Sequence, residues 1–321
     1  MKNKIKNSII ISALSVALMY VVNKFIFSVS VMKDLLKTED GDFYKWRFGD
    51  VYYTKEGYGS PLLLVHDLNP LSSSSEWDEL VKTLSKTNTV YTLDLLGTGR
   101  SSKPNITYTN YIYVQLITDF IKNIIRTRTD VIATGLSSSF IITACQNNDT
   151  LFDKIMFINP EDITELNKIP SKRSKILKLL IETPIVGSIL YNLIYNKKNI
   201  EHIYIEKYLF NPFRLQNKHI YTSSEALHLG GGNARYLLSS IAGRYVNFNV
   251  TQTLKNINNS IFIIGGKETY NIENILDTYV SLNNSIEIAY IENTRYLPQI
   301  EAPLELLDYI RVFFYHRMDT Y

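Results

Sequence analysis

The sequence predicts an α/β protein: a doubly wound, mostly parallel sheet with a block of helices inserted late in the chain. Three observations carry this. Short, fully apolar runs such as 62–65 and 131–133 recur, with the length and composition of strands buried on both faces. Helix-periodic segments alternate with them, which implies parallel strands joined by crossover helices. Near residue 163 the alternation stops, and mostly helical sequence follows to about 250.

The elements follow in order. Lys2, Lys4 and Lys6 precede an uncharged, largely apolar run over 7–23, and Lys24 alone separates it from a second uncharged run over 25–32. A run of this length crosses a bilayer as a helix if Lys24 lies near an interface and snorkels. We expect an uncleaved single-pass anchor over 1–33. A cleaved signal peptide and an amphipathic surface helix are the alternatives, although Ser28-Val29-Ser30 is a poor cleavage site. The basic N-terminus favours a cytoplasmic end and an extracytoplasmic main domain, while Lys24, Lys33 and Lys37 pull the other way. Residues 34–42 are polar and read as a linker.

Residues 43–48 and 51–54 read as two strands, with Gly49-Asp50 as the hairpin turn. The strand at 62–65 leads at once into His66-Asp67 and a serine-rich loop. Trp77, Leu80, Val81 and Leu84 fall on one helical face. A strand over 89–93 ends in Asp94-Leu-Leu-Gly97-Thr-Gly99-Arg100-Ser101, and a helix is expected over 111–125. After the strand at 131–134, the run Gly135-Leu136-Ser137-Ser138-Ser139 leads into an apolar helix start, with small residues two places either side of Ser137. That is the spacing of a nucleophile elbow, in which a sharp strand-to-helix turn exposes a serine. A serine-rich loop is the plainer alternative. The next strand, over 155–158, ends in Asn159-Pro160-Glu161-Asp162. Gly230-Gly231-Gly232 reads as a hinge, since no strand-to-helix frame makes it a phosphate cradle. Strands over 261–264 and 286–291 and a helix over 304–314 complete the chain.

Composition narrows the function classes. The chain's 321 residues and 45% hydrophobic content suffice for one large domain with an insertion. The net charge of +3 is spread without a basic stripe, so nucleic acid is not an expected partner. Cys145 is the only cysteine, which removes intrachain disulfides and zinc-knuckle spacing. No metal and no cofactor are expected. The histidines are His66, His202, His219, His228 and His316, and none lies between His228 and His316.

Strand, His-x, serine-rich loop, Trp-led helix, strand and then Asp94-x-x-Gly97-x-Gly99-x-Ser101 resembles the α/β-hydrolase fold family, and the elbow follows in the right order. The resemblance spans about 43–315. It implies a hydrolase core over 43–162 and 251–321, a helical cap over 163–250, and a small-molecule ligand or substrate under that cap. It also implies the site. Ser137 takes the nucleophile position. The acid position, in a Gly-x-x-Asp pattern after the strand at 261–264, falls on Thr269, beside Glu268. The histidine position falls on Tyr296, framed by Leu297-Pro298 and Glu301-Ala302-Pro303. The oxyanion segment carries His66-Asp67 where the family has His-Gly, with Leu68 and Ser138 beside it.

These replacements bear on the chemistry. A phenol has a pKa of about 10 and is a poor proton acceptor at neutral pH. A carboxylate near developing negative charge opposes it. Asp162 or Glu161 as acid with His228 as base is a rescue. Two functions follow: a nonstandard hydrolase of a small ester, amide or thioester, or a non-catalytic relative that binds a small apolar ligand or a partner protein. In both, the membrane is reached through the N-terminal helix.

Overall fold

Eight strands form one sheet: β1 (Asp42–Trp46), β2 (Gly49–Glu56), β3 (Ser60–Val65), β4 (Asn88–Leu93), β5 (Thr129–Thr134), β6 (Phe152–Ile158), β7 (Ile261–Gly266) and β8 (Glu287–Ile291). The structure, a computed structural model, describes residues 2–36 and 41–315, and the side chains from residue 4 onward. Residues 37–40 of the expected linker and His316 lie outside the described residues. The strand order is β1-β2-β4-β3-β5-β6-β7-β8. Strands β3 to β8 pair in parallel, and β2 pairs antiparallel with both β1 and β4.

The two-residue period of a strand explains the apolar runs. Leu62 and Leu64 face one core with Trp77 and Leu80, while Leu63 and Val65 face another with Val131 and Phe140. Both faces are covered, so every position in such a strand is apolar.

The helices are α1 (Lys2–Ser30), α2 (Asp78–Leu84), α3 (Asn110–Phe120), α4 (Ser137–Asn147), α5 (Ile163–Leu166), α6 (Lys172–Glu182), α7 (Val186–Ile194), α8 (Lys197–Ile203), α9 (Asn217–His228), α10 (Arg235–Ala242), α11 (Thr251–Lys255), α12 (Ile272–Leu282), α13 (Pro298–Glu301) and α14 (Pro303–Tyr315). Helices α5 to α11 all lie between β6 and β7, so the chain between these strands is a helical insertion.

Two local expectations change. The first hairpin turns at Arg47-Phe48, because Trp46 already pairs with Gly49. Gly49 answers to packing instead: a Cβ there would lie 2.5 Å from the Ser102 Cβ. The N-terminal helix, expected as an anchor over 1–33, is long and apolar enough to cross a bilayer, but its later part packs against the insertion. Asn23 and Phe27 are buried. Asn192 Nδ2 donates to Asn23 Oδ1 at 2.8 Å, and the Phe27 ring stacks on Tyr191. An amide and an aromatic ring within the apolar run give the insertion something to hold. The start of the linker is held too, since the Leu35 and Leu36 amides donate to the Glu225 carboxylate at 2.9 and 3.3 Å.

The Asp94-to-Ser101 loop is fixed by a buried ion pair. Asp94 accepts the Ser74 amide and the Arg100 amide and Nε, each at 2.7 Å. Burial alone would raise the Asp94 carboxyl; the Arg100 guanidinium and its hydrogen bonds outweigh this and hold it well below the usual carboxylate range.

Glu76 has the opposite balance. Burial pushes its carboxyl up to about 8, against hydrogen bonds with Ser72 and Gln299. Its folded pKa lies above the ordinary value of 4.5, so the folded state holds more protons between the two values. Stability therefore falls as pH rises through that window, by at most about 1.4 kcal/mol per unit. Glu76→Gln keeps an acceptor and removes the charge. Its urea midpoint is expected to stay flatter than wild type between about pH 5 and pH 8. Parallel pH profiles for the two proteins would refute this assignment.

Candidate functional site

The strand order brings two loops to one crevice. Strand β3 lies between β4 and β5, so the order reverses there, and such a switch point opens a cleft at the carboxyl ends of the strands. The loop after β3 carries Asp67 and Asn69, and the turn after β5 carries Gly135 and Leu136.

Gly135 is the apex of the strand-to-helix turn. It has φ +53°, Leu136 is already helical at φ −60° and ψ −29°, and α4 begins at Ser137. A Cβ at 135 would lie 2.3 Å from Asp67 Oδ1 and 2.4 Å from Tyr296 Oη. The sequence pattern put the apex at Ser137; the structure places it two residues earlier. Ser137 is fully buried in the first turn of α4, and its Oγ donates to the His66 carbonyl at 2.6 Å. The spacing of small residues fits two registers, Gly135 with Ser139 or Ala133 with Ser137. The left-handed apex selects the residue without a Cβ.

Asp67 fills the space before the apex. Its Oδ1 accepts the Leu136 amide at 2.8 Å, and its Oδ2 accepts Tyr296 Oη at 3.0 Å and Asn69 Nδ2 at 2.9 Å. The Tyr296 hydroxyl thus pairs with Asp67, not with Ser137 or Thr269. Burial, reinforced by the Asp67 and Glu161 charges, raises the Tyr296 phenol well above its ordinary value, so it serves as a donor. Its ring stacks on Tyr208 of the insertion at 5.4 Å. The Tyr296 amide also donates to the Tyr208 carbonyl at 3.0 Å, which ties the insertion to the loop after β8.

The remaining predicted residues are distributed around this group. Thr269 and Glu268 follow β7 at the rim, where Thr269 Oγ1 lies 3.5 Å from Asn159 Oδ1. With Tyr296, Glu161, Lys207 and Arg295 they line a cavity of about 640 Å³. Burial, with help from the Asp67 charge, pushes the Glu161 carboxyl up to about 7 against the nearby Lys207. His66 is structural: Nδ1 faces the Asp67 carbonyl at 2.7 Å, and Nε2 accepts the Leu95 amide at 3.0 Å. These contacts imply a neutral ring protonated at Nδ1, and burial lowers its pKa. Leu68 is buried in the main core, and Ser138 Oγ has no partner among the described residues.

The rescue pair is not assembled. Asp162 caps α5 by accepting the Thr164 amide at 2.7 Å. His228 Nδ1 pairs with the Ser224 carbonyl at 2.6 Å, and its ring lies 5.4 Å from Phe27 of α1. Docking of α1 thus claims the face of α9 that carries His228. Among the described residues, no group of three or more His, Cys, Asp or Glu side chains is arranged to hold a metal ion. Sequence reasoning missed the place of Gly135 at the apex, and missed Asn69 and Tyr208 altogether. The second register of small residues was the available sign of Gly135; Asn69 and Tyr208 carry no local signal.

No family model matches the chain. A 71-residue stretch is 32% identical to the 2-hydroxy-6-oxo-6-(2'-aminophenyl)hexa-2,4-dienoic acid hydrolase of Metapseudomonas resinovorans, covering 22% of this chain and 24% of that relative. The chain thus spans about a quarter of the length of the curated relative it matches. Among solved structures, a serine hydrolase involved in carbazole degradation superposes with a TM-score of 0.70 at 14% identity, covering 86% of this chain and 99% of the other. The epoxide hydrolase CorEH gives 0.70 at 16%, covering 85% and 98%. A membrane phospholipase A gives 0.66 at 15% and covers 98% of both chains. With the strand order and the Asp94 loop, these likenesses establish that the chain has the α/β-hydrolase fold.

Proposed function

We propose that this is a membrane-anchored α/β-hydrolase-fold protein that binds a small polar molecule and does not hydrolyse it. The observation that carries the reading is the Asp67 carboxylate on the Leu136 amide at 2.8 Å, in front of a glycine. In an elbow, the amide after the nucleophile is an oxyanion donor. The Leu136 amide follows residue 135, so the nucleophile position is Gly135, and no side chain there can attack. Asp67 occupies the donor that a developing oxyanion needs, and Tyr296 donates a hydrogen bond where a base would accept a proton. Ser137 does not substitute, because the Ser138 amide is engaged by the Gly135 carbonyl at 3.2 Å.

The helical insertion acts as the cap through the Tyr208–Tyr296 stack. The ligand site is the cavity of about 640 Å³ beside Tyr296. Its lining of Glu161, Asp162, Glu268, Lys207 and Arg295 suits a polar ligand better than the apolar one expected from sequence. Helix α1 supplies the anchor, and the likeness to a membrane phospholipase A over 98% of the chain supports this. Lys2, Lys4 and Lys6 favour a cytoplasmic N-terminus with the main domain on the other side.

A fluorophosphonate probe tests the central claim. Full-length wild type in detergent is expected to remain unlabelled, and Ser137→Ala is expected to behave the same. Stoichiometric labelling of wild type that is lost in Ser137→Ala would overturn the reading in favour of an active hydrolase.

A further inference from the structure

Helices α6 and α7 are amphipathic in the wrong sense for a protein surrounded by water. On α6 the inward positions are Ser174, Ile181 and the Lys178–Glu182 ion pair, which is largely buried. Its outward positions include Ile176 and Leu179, 66% and 65% exposed. On α7, Leu193 is 61% exposed, with Val186 and Ile194 exposed as well. The two helices meet at a bend of 99° and together are long and apolar enough for a broken or re-entrant membrane segment. Isolated exposed apolar residues are ordinary, but a patch this continuous marks an interaction surface.

Charge and position identify what covers it. Lys172, Arg173 and Lys175 lie in the first turn of α6, and Lys197 and Lys198 closely follow α7. Across 168–198, Glu182 is the only acid, and Lys178 neutralises it. Exposed leucines and isoleucines flanked by lysines suit an interface carrying anionic headgroups.

The position comes from α1. Asn23 Nδ2 lies 3.4 Å from the Ile185 carbonyl, and Tyr20, Asn23 and Lys24 line one cleft with Pro184 and Ile185. The α6–α7 corner is thereby pinned to α1 at the level of Lys24. The stretch of α1 before that level, over 5–22, is exposed and, apart from Lys6 at its start, uncharged and largely apolar. At about 1.5 Å per residue it spans roughly 27 Å, close to the ~30 Å of a hydrocarbon core. The bilayer surface therefore falls where the corner sits.

We propose that α6 and α7 form a second, interfacial membrane contact, docking the insertion on a phospholipid surface that carries anionic headgroups. This rests on the reading of α1 as an anchor. Bilayer contact would shield the outward leucines of α6 and α7 from water.

The test uses the full chain, reconstituted into phosphatidylcholine vesicles containing phosphatidylglycerol. In a Cys145→Ser background, single cysteines replace Ile176, Leu179 or Leu193 and carry an environment-sensitive fluorophore. Tyr58→Cys is the control; Tyr58 is 77% exposed in the turn before β3, at the end of the sheet opposite the one from which the insertion leaves β6. Labels at 176, 179 and 193 are expected to be quenched several-fold more by nitroxide-bearing lipids than the label at 58, and several-fold less by aqueous iodide. Combining Lys172→Glu, Arg173→Glu and Lys175→Glu is expected to weaken the lipid quenching. If the chain resists carbonate extraction but the three labels are as open to iodide as position 58, the anchor stands and the docking fails. Shielding from both quenchers that is lost on dilution in detergent would mean that a second copy covers the face, which also overturns the proposal. Release of the chain by carbonate would remove the anchor and the docking with it.

Discussion

The combination Asp67→Gly, Gly135→Ser, Thr269→Asp and Tyr296→His is expected to hydrolyse short p-nitrophenyl esters at least about a hundredfold faster than wild type. Each change answers one feature of the crevice. Removing the Asp67 carboxylate frees the Leu136 amide, which it now engages at 2.8 Å. Serine at 135 supplies an attacking oxygen at the residue before that amide. Histidine at 296 replaces a phenol that burial has made a weaker acid than usual, and aspartate at 269 gives the new imidazole a carboxylate to fix its tautomer. The same set without Gly135→Ser should fall back to the wild-type rate, whereas adding Ser137→Ala should change nothing. Equal rates with and without the serine at 135 would show that the apex is not the reacting position. Urea unfolding of each variant separates lost activity from lost structure.

Gly135→Ala is expected to destabilise the protein by about 2–5 kcal/mol, combining about 1–2 for a left-handed non-glycine residue with about 1–3 for overpacking. The new Cβ would meet Asp67 Oδ1 at 2.3 Å and Tyr296 Oη at 2.4 Å. Much of the cost should therefore depend on those two side chains. In a double-mutant cycle with Asp67→Gly, we expect a favourable coupling of about 1 kcal/mol or more, since contacting residues couple by about 0.5–3 kcal/mol. Tyr296→Phe removes the second contact and should relieve a further part. Purely additive effects would mean that residue 135 does not face Asp67. This cycle reads geometry alone, so it stands whether or not the reconstructed variant turns over substrate.

The cavity beside Tyr296 bears on ligand choice. Burial, helped by the Asp67 charge, pushes the Glu161 carboxyl there up to about 7 against the opposing Lys207 charge. Its charge therefore changes within the physiological range, whereas the buried Asp94 stays ionised beside Arg100.

The architecture was legible along the chain. Fully apolar runs at 62–65 and 131–133 report burial on both faces, and that follows from a two-residue period. The Asp94-to-Ser101 loop was legible through its resemblance to the α/β-hydrolase pattern, and the packed structure adds the Asp94–Arg100 contacts that hold it. The extent of α1 followed from two uncharged runs, over 7–23 and 25–32, that only Lys24 interrupts. The turn registers and the site depend instead on packing. The small-residue pattern after β5 admits two apices, and the left-handed backbone at Gly135 with its crowding by Asp67 and Tyr296 separates them. The partner of Tyr296 lies 229 residues away in sequence, so no local pattern encodes their hydrogen bond. The docking of Asn23 on Asn192 and the turning of His228 towards Phe27 are likewise contacts between distant elements. Periodicity and turn chemistry are properties of neighbouring residues and can be read along the chain. Which side chain fills a crevice depends on what faces it across the fold, and the packed structure alone brings those groups together.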